Sequence, residues 1–349
     1  MSKIPVGILG ATGTVGQRFI QLLAEHPWFE VRALAASERS VGKVYADACH
    51  WLLPTPLPVA VRDLPVRPIE PGLDCRLVFS ALPSKVAGPV EERFAQAGYA
   101  VCSNAAPHRL VADVPLLIPE VNADHTVLIS VQRRQRGRKG LIVASANCST
   151  TQLALALKPL QHAFGLHKLS VVSMQAISGA GYPGVPAPDI LGNVVPFIGG
   201  EEDKVENESR KLLGTLQGQA VLDAPFIISA QCNRVPVRDG HTECVSVEFE
   251  RRAGVDAVLA ALREFRAPAG VADLPSTPAR PIVVHSQPDR PQPLRDRDLG
   301  GGMSVSVGRV RPCPVFDYKF VVLGHNTLRG AAGGAIHNAE LLAAGEWVV

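Results

Sequence analysis

A cysteine carried by a strand to the start of a helix is where this sequence can do covalent chemistry. The short apolar run Leu141-Ile142-Val143-Ala144-Ser145 leads into Ala146-Asn147-Cys148-Ser149-Thr150-Thr151, and a helical pattern follows from Gln152 to Leu160. Ser149, Thr150 and Thr151 are candidate caps for that helix. Unpaired N–H groups and the positive end of the helix dipole favour a thiolate, so Cys148 is the candidate nucleophile, with a depressed thiol pKa expected. On these residues alone a buried apolar cysteine beside an ordinary cap stays open. The second candidate is His241, one of ten histidines. Its company singles it out: Arg234 lies just upstream, across a Pro/Gly turn from Val235 to Gly240 that reads as a β-hairpin.

The N-terminus offers a second kind of chemistry. Pro5 to Gly10 reads as a buried strand and a helix is expected from about Gln17 to Glu25; between them Gly10, Gly13 and Gly16 form a GxxGxxG turn. Glycines there permit close approach of backbone to a pyrophosphate seated on a helix N-terminus, which makes Gly10, Thr12, Gly13, Thr14 and Val15 candidate cofactor contacts. A turn driven by packing alone is the alternative. The second strand, Glu30 to Ala36, runs into Ser37-Glu38-Arg39-Ser40 with Lys43 behind. Ser37, Arg39 and Ser40 suit a 2′-phosphate and so NADP over NAD, while Glu38 argues the other way. Ser80 and Ala81 stand at the carboxyl end of the next buried strand, Cys75 to Leu82, where dinucleotide folds bind their ligand.

The elements that must position these residues alternate as βα units up to Ser145, the pattern of an α/β, doubly wound (Rossmann-type) parallel sheet. Within them Pro89 is expected to break the helix opened by Pro83-Ser84, and Leu116 to Asn122 reads as a strand. The basic run at 132–139 reads as a solvated loop, since no aromatics interleave it. After the Cys148 helix, β-rich stretches dominate, with one helix from Val255 to Phe265, as for an α+β domain with a mixed sheet. The expected domains are 1–147 and 148–325, with a C-terminal helix in 326–349 packing back on the first.

Composition bounds the partners. The 349 residues suffice for two cores, and 46% hydrophobic with 19% charged residues excludes disorder. A net charge of +3 gives little reason to expect nucleic acid or an anionic membrane. The seven cysteines are scattered, with no CxxC pair, which argues against a disulfide framework or a metal site and for a reducing compartment. Met1 to Val6 enters a strand at once and no apolar run is long enough for a bilayer, so a cytoplasmic location is expected.

Seven stretches together carry a family resemblance: GATGTVG at 10–16, AASERSVGK at 35–43, SANCSTTQLALALKPL at 145–160, SMQAISGAG at 173–181, GEEDKVENES at 200–209, NRVPVRDGH at 233–241 and NTLRGAA at 326–332. In order and spacing the chain resembles the aspartate-β-semialdehyde dehydrogenases, the branch typical of archaea and fungi. The resemblance implies reduction of L-aspartyl 4-phosphate by NADPH to L-aspartate 4-semialdehyde and phosphate, in the pathway to lysine, threonine, methionine and isoleucine. It implies Cys148 as nucleophile, His241 as acid/base able to take the thiol proton, and Gln175 orienting the acyl-enzyme. Asn147 and nearby backbone N–H groups become candidates for the oxyanion. By the same resemblance Arg234 grips the substrate carboxylate and Glu201 faces its amine. Lys204 and Arg109, with Asn104 nearby, bind the leaving phosphate, Asn326 and Thr327 lie by the nicotinamide, and Ser178 and Gly179 are further cofactor contacts. Ala106 departs from the larger or polar residue expected there. A homodimer or homotetramer is implied. Competing readings are a malonyl-CoA reductase, against which Glu201 argues, an N-acetyl-glutamyl-phosphate reductase, and a non-catalytic NADP-binding paralogue.

Overall fold

The computed structural model describes residues 3–348. β1 (Ile4–Leu9) is buried along its last four residues and drops into the glycine turn. Gly10 has φ +81°, and a Cβ on Gly16 would meet the Gly10 carbonyl oxygen at 2.3 Å, so the turn closes as it does only with glycine at both positions. α1 (Thr14–Leu23) starts inside the turn, earlier than the sequence suggested, and turns Phe19, Ile20 and Leu23 inward. β2 (Phe29–Ala35), β3 (Val66–Arg67), β4 (Leu77–Ser80), α2 (Ser84–Gln96), β5 (Ala100–Ser103), β6 (Leu116–Leu117), α3 (Leu128–Arg136) and β7 (Leu141–Ser145) follow. The seven strands form one sheet in the order β3-β2-β1-β4-β5-β7-β6, every pair parallel. The strand order switches sides at β1 and β4, the place where such sheets open a ligand crevice.

α4 (Cys148–Phe164) crosses from β7 to the second sheet. There follow β8 (Leu166–Gln175), α5 (Glu201–Leu212), the isolated pair β9 (Thr215–Gln217) and β10 (Ala220–Leu222), β11 (Ile227–Arg234), β12 (His241–Phe249), α6 (Val255–Glu264), β13 (Ile282–Val284), β14 (Val305–Pro312) and β15 (Tyr318–Gly324). Six of these strands make a mixed sheet, β11-β8-β12-β15-β14-β13. β12 alternates buried and half-exposed residues, and its inner Val245 and Val247 share a core with Leu153, Leu157 and Leu160 of α4. α7 (Gly333–Ala344) returns to the first sheet, where Ala335, Ile336, Ala339 and Leu342 join the core of β1 and β4. No helix among the described residues is long and apolar enough to cross a membrane.

Four expectations are corrected. Arg234 and His241 do not flank a hairpin: β11 runs parallel to β8, β12 antiparallel to it, and the two lie on opposite sides of β8. The helix through Pro89 is unbroken: Pro89 sits on its exposed face, where a carbonyl that loses its partner is not forced into the core. Leu116–Asn122 is a two-residue strand followed by a helical turn, Pro119–Asn122, with proline at its start. The basic run is the end of α3 and beyond, held by carboxylates from elsewhere: Arg136 donates to Asp113 at 2.6 Å and to Glu92, and Arg138 also donates to Glu92.

The C-terminal segment is fastened by a buried fork. Arg329 donates to the two Glu120 oxygens at 2.8 and 2.6 Å, with the side chains 1% and 0% exposed. Burial alone would raise the Glu120 carboxyl, but Arg329 and then His337 outweigh it and hold it at about 2. That lies below the ~4.3 of an unfolded glutamate. The stabilisation is therefore present above that pH and fades as pH falls toward 2. Arg329→Met, which strands the carboxylate, is expected to cost about 3–5 kcal/mol in urea unfolding at neutral pH, and much less when combined with Glu120→Gln. The double variant should also lose less stability than the native chain between neutral and acid pH.

Candidate active site

α4 is capped by Asn147. Its Oδ1 accepts from the N–H groups of Ser149 at 2.9 Å and Thr150 at 3.3 Å, so the three hydroxyl residues expected to cap lie buried inside the helix instead. The Asn147 Nδ2 donates to Glu201 Oε1 at 2.8 Å and its backbone N–H to Glu208 Oε2 at 2.6 Å. Every polar group that could let this residue swing is thus occupied, and Cys148 is fixed behind it.

Cys148 Sγ lies 3.2 Å from His241 Nε2. The far side of the ring is fixed by the Ala176 N–H, which donates to Nδ1 at 3.0 Å, and the His241 carbonyl accepts from Gln152 Nε2 at 3.0 Å. Arg234 Nη1 donates to the Ala176 carbonyl at 2.8 Å. The loop after β8 passes so close that a Cβ on Gly179 would lie 2.9 Å from Arg234 Nη1 and 3.1 Å from the His241 ring. Burial acts against the expected depression of the thiol. Burial pushes Cys148 up, to about 12, Glu201 adds to the effect, and Arg109, Arg234 and the Ser149 N–H do not offset it. The cap has already taken two of the helix-start N–H groups that were to favour a thiolate. His241 moves the other way: burial, then Arg234 and His325, push it down to about 3.

Beyond the sulfur the wall is polar. Arg109 donates to Glu208 Oε1 at 3.0 Å and to the Asn104 carbonyl at 2.7 Å. The Asn104 Nδ2 is buried without a protein partner among the described residues, an unused donor on this wall. Lys204 donates to Glu201 Oε2 at 3.0 Å. Burial opposes ionisation of Glu201, but Asn147 and Lys204 prevail and hold it below the usual carboxylate range. Glu208 was not foreseen. Its signal is spacing: Glu201, Lys204 and Glu208 recur on one face of α5.

A cleft of about 680 Å³ joins this wall to the glycine turn, with Thr14 and Val15 at one end, Asn326 and Thr327 between, and Cys148 and Arg234 at the other. Arg18, a cation the sequence reading passed over, lines it too. The start of α1 has neither a side-chain cap nor an acid in its first turn, so its N–H groups suit a pyrophosphate. Gly10 and Gly13 shape the turn, the Thr12 carbonyl accepts from Gln17, and the Ala81 carbonyl abuts Gly10. Ser178 lines the cleft and accepts from Asn326 Nδ2 at 2.8 Å, while Asn326 Oδ1 accepts from the Gly240 N–H, so this asparagine's amide braces two loops.

Some expected contacts are not brought together. Ser37, Arg39 and Ser40 sit on the partly exposed loop after β2, outside the lining of this cleft. The Ser80 side chain is fully buried and faces Glu91, so only its backbone is near: its carbonyl accepts from the Asn104 N–H. Gln175 is buried behind Glu201 and donates to Ser173 Oγ at 3.3 Å, off the cleft wall. Among the described residues no group of His, Cys, Asp and Glu side chains is placed to hold a metal ion.

Family models match both halves of the chain: the semialdehyde dehydrogenase NAD binding domain over residues 5–129 and the semialdehyde dehydrogenase dimerisation domain over 157–329. The chain is 53% identical over 341 residues to the aspartate-semialdehyde dehydrogenase of Archaeoglobus fulgidus, covering 97% of this chain and 98% of the relative. It is 52% identical over 352 residues to that of Cryptococcus neoformans, covering 97% and 96%. A crystal structure of the Candida albicans aspartate-semialdehyde dehydrogenase with NADP superposes with TM-score 0.91 at 46% identity, covering 98% of this chain and 99% of that one. With such identity over nearly the whole length, and both domain models matched, the chain belongs to the aspartate-semialdehyde dehydrogenase family.

Proposed function

We propose that this chain reduces L-aspartyl 4-phosphate to L-aspartate 4-semialdehyde, with release of phosphate and NADP, through a thioacyl-enzyme on Cys148, as a step toward lysine, threonine, methionine and isoleucine. The observation that carries the reading is the Cys148–His241 contact at the end of a cleft whose wall bears both signs of charge. An amino acid phosphate needs such a wall: cations for its carboxylate and phosphate, an anion for its amine.

Cys148 attacks the acyl carbon, and splitting the reaction at a thioester replaces one hard step by two easier ones. The Cys148 N–H meets the developing oxyanion, because the cap has taken those of Ser149 and Thr150. Asn147 acts by holding that helix start, with its own amide committed to Glu201. Arg234 gives Nη1 to Ala176 and turns the rest of its fork to the substrate carboxylate. Glu201 faces the amine, with Gln175 supporting it from behind. Arg109, Lys204 and the free Asn104 amide hold the departing phosphate. NADPH, when bound, supplies the hydride. The uncapped start of α1, with Gly10, Thr12, Gly13, Thr14 and Val15, would hold its pyrophosphate. Ser37, Arg39 and Ser40 would take its 2′-phosphate, and Ser178, Gly179, Asn326 and Thr327 would flank its nicotinamide. The outer face of the second sheet, with Val172 and Ile227 exposed, is the surface for a homodimer or a dimer of dimers. Seven free cysteines suit a reducing, cytoplasmic setting.

With aspartate semialdehyde, phosphate and NADP, the purified protein is expected to produce NADPH, followed by its absorbance, and only when phosphate is present. Cys148→Ala should abolish turnover and leave NADPH binding intact. Turnover of malonyl-CoA alone, or of neither substrate, would defeat the reading. Glu208→Ala is expected to raise KM for phosphate about tenfold, the ~1.4 kcal/mol of one charge-assisted hydrogen bond lost behind Arg109, while Glu208→Gln keeps much of the native value.

A further inference from the structure

We infer that the cavity at the amino ends of β4, β5 and β7 binds a small anion carrying two or more carboxylate or phosphate groups. The cavity has a volume of about 700 Å³, within the range of pockets that hold small-molecule ligands. Its position separates it from the cleft described above. The three strands are parallel, so their carboxyl ends share one side of the sheet, where Asn104 and Cys148 line the cleft. This cavity opens on the other side, just before Leu77, Ala100 and Leu141.

Four cations line it, Arg76, Arg133, Arg138 and Lys139, against one carboxylate, Glu346. Arg133 is the fixed member. Its guanidinium carbon lies 5.8 Å from the centroid of the Trp347 ring, within cation–π range, and Nη2 donates to the Trp347 carbonyl at 3.0 Å. Beyond that carbonyl the Arg133 fork has no acceptor among the described residues, and its Nε is buried. Burial pushes this guanidinium down from the ordinary arginine value, and no carboxylate among the described residues opposes the effect. Arg138 donates to Glu92 and to Gln132 Oε1 at 3.2 Å, and its Nε too is buried without a partner among the described residues. Glu92 is shared with Arg136, and Lys139 is exposed at the rim. An anion across Arg133 and Lys139 would supply the missing acceptors, and a planar fork suits either carboxylate or phosphate. A singly charged ion would engage one of these cations, whereas their spread around the cavity suits two or more charged groups.

Helix capping does not account for these cations. α2, α3 and α7 all end at the cavity, and basic side chains gather at helix ends to meet free carbonyls. Here the backbone has taken those carbonyls. The N–H groups of Ala97, Gly98 and Tyr99 donate to Arg93, Ala95 and Phe94, and those of Gly137 and Arg138 donate to Arg133. At the end of α7 the N–H groups of Gly345, Glu346 and Trp347 donate to Leu341, Ala343 and Leu342. Glu346 takes φ +58° in that turn, a position where glycine is usual, and the turn folds Trp347 over Arg133. A side-chain residue persists in that conformation only where its surroundings fix it. The tail therefore closes the cavity with a rigid aromatic wall.

The test is titration of the full chain with inorganic tripolyphosphate and with citrate, followed by calorimetry and by tryptophan fluorescence. Saturating NADP is present throughout, so that the start of α1 is occupied. Trp347→Phe separates the signal of Trp347 from those of Trp28 and Trp51. Saturable binding of at least one anion is expected, and the tighter of the two identifies phosphate or carboxylate as the group recognised. Arg133→Gln and Lys139→Gln should each weaken binding about tenfold, and Glu346→Gln should tighten it by removing a repelling charge. Lys139 is exposed, so its replacement tests the site without disturbing the core should Arg133→Gln fail to fold. No saturable heat with either anion, or binding that Lys139→Gln leaves unaltered, would overturn the inference. Neither readout involves turnover, so failure here is separable from failure of the proposed reaction.

Discussion

The buried carboxylate of Glu208 ties the two halves of the molecule at the point where they must meet. It takes Arg109 from the parallel-sheet side and the Asn147 N–H at the head of α4, while itself belonging to α5. Burial pushes this carboxyl above its usual range despite both donors, so the contact is strongly desolvated, and removing either partner would leave a polar group stranded. One turn further along α5, Lys211 donates to the carbonyls of Arg109, Val111 and Val114 at 2.8, 2.8 and 2.9 Å. One helix face therefore supplies Glu201 and Lys204 to the cleft and Glu208 and Lys211 to the seam behind it. The functional wall and the joint between the two sheets share one rigid element.

Topology brings Arg234 and His241 together. β8 is interior to the second sheet, with β11 parallel on one side and β12 antiparallel on the other. The end of β11 and the start of β12 thus fall on either side of the end of β8, with Arg234 in register with Gln175 and Thr242 with Met174. Ala176, the next residue, offers its carbonyl to Arg234 and its N–H to His241. A single peptide unit spaces the Arg234 guanidinium from the His241 imidazole. Burial acts on both members of the Cys148–His241 contact, pushing the thiol up and the ring down.

Much of this was legible in the chain. Cys148 at a strand–helix junction and the glycine turn after β1 are local signals, because adjacent residues build both and backbone geometry fixes them. The run of buried strands announced the parallel sheet for the same reason. The helix through Pro89 and the helical turn at Pro119–Asn122 were misread locally, whereas the failures at the site and in the basic run are long-range. Asn147 displaced Ser149, Thr150 and Thr151 as the cap, though capping preference admits all four, because Glu201 and Glu208 from α5 hold it in place. Arg136 and Arg138 read as solvated until Glu92 and Asp113 arrived from other elements.

The sequence by itself determined which residue types could react and which local conformations would present them: a thiol at a helix start, a helix behind three glycines, and cations and acids in reactive company. Only the tertiary structure decided how they behave. Whether Cys148 is easily ionised depends on burial and on Glu201, Arg109 and Arg234, which distant segments bring to it. How the His241 ring is held depends on one peptide N–H from the residue after β8. Periodicity and spacing are short-range properties of a chain, whereas desolvation and hydrogen-bond direction are properties of the closed space that distant segments make together.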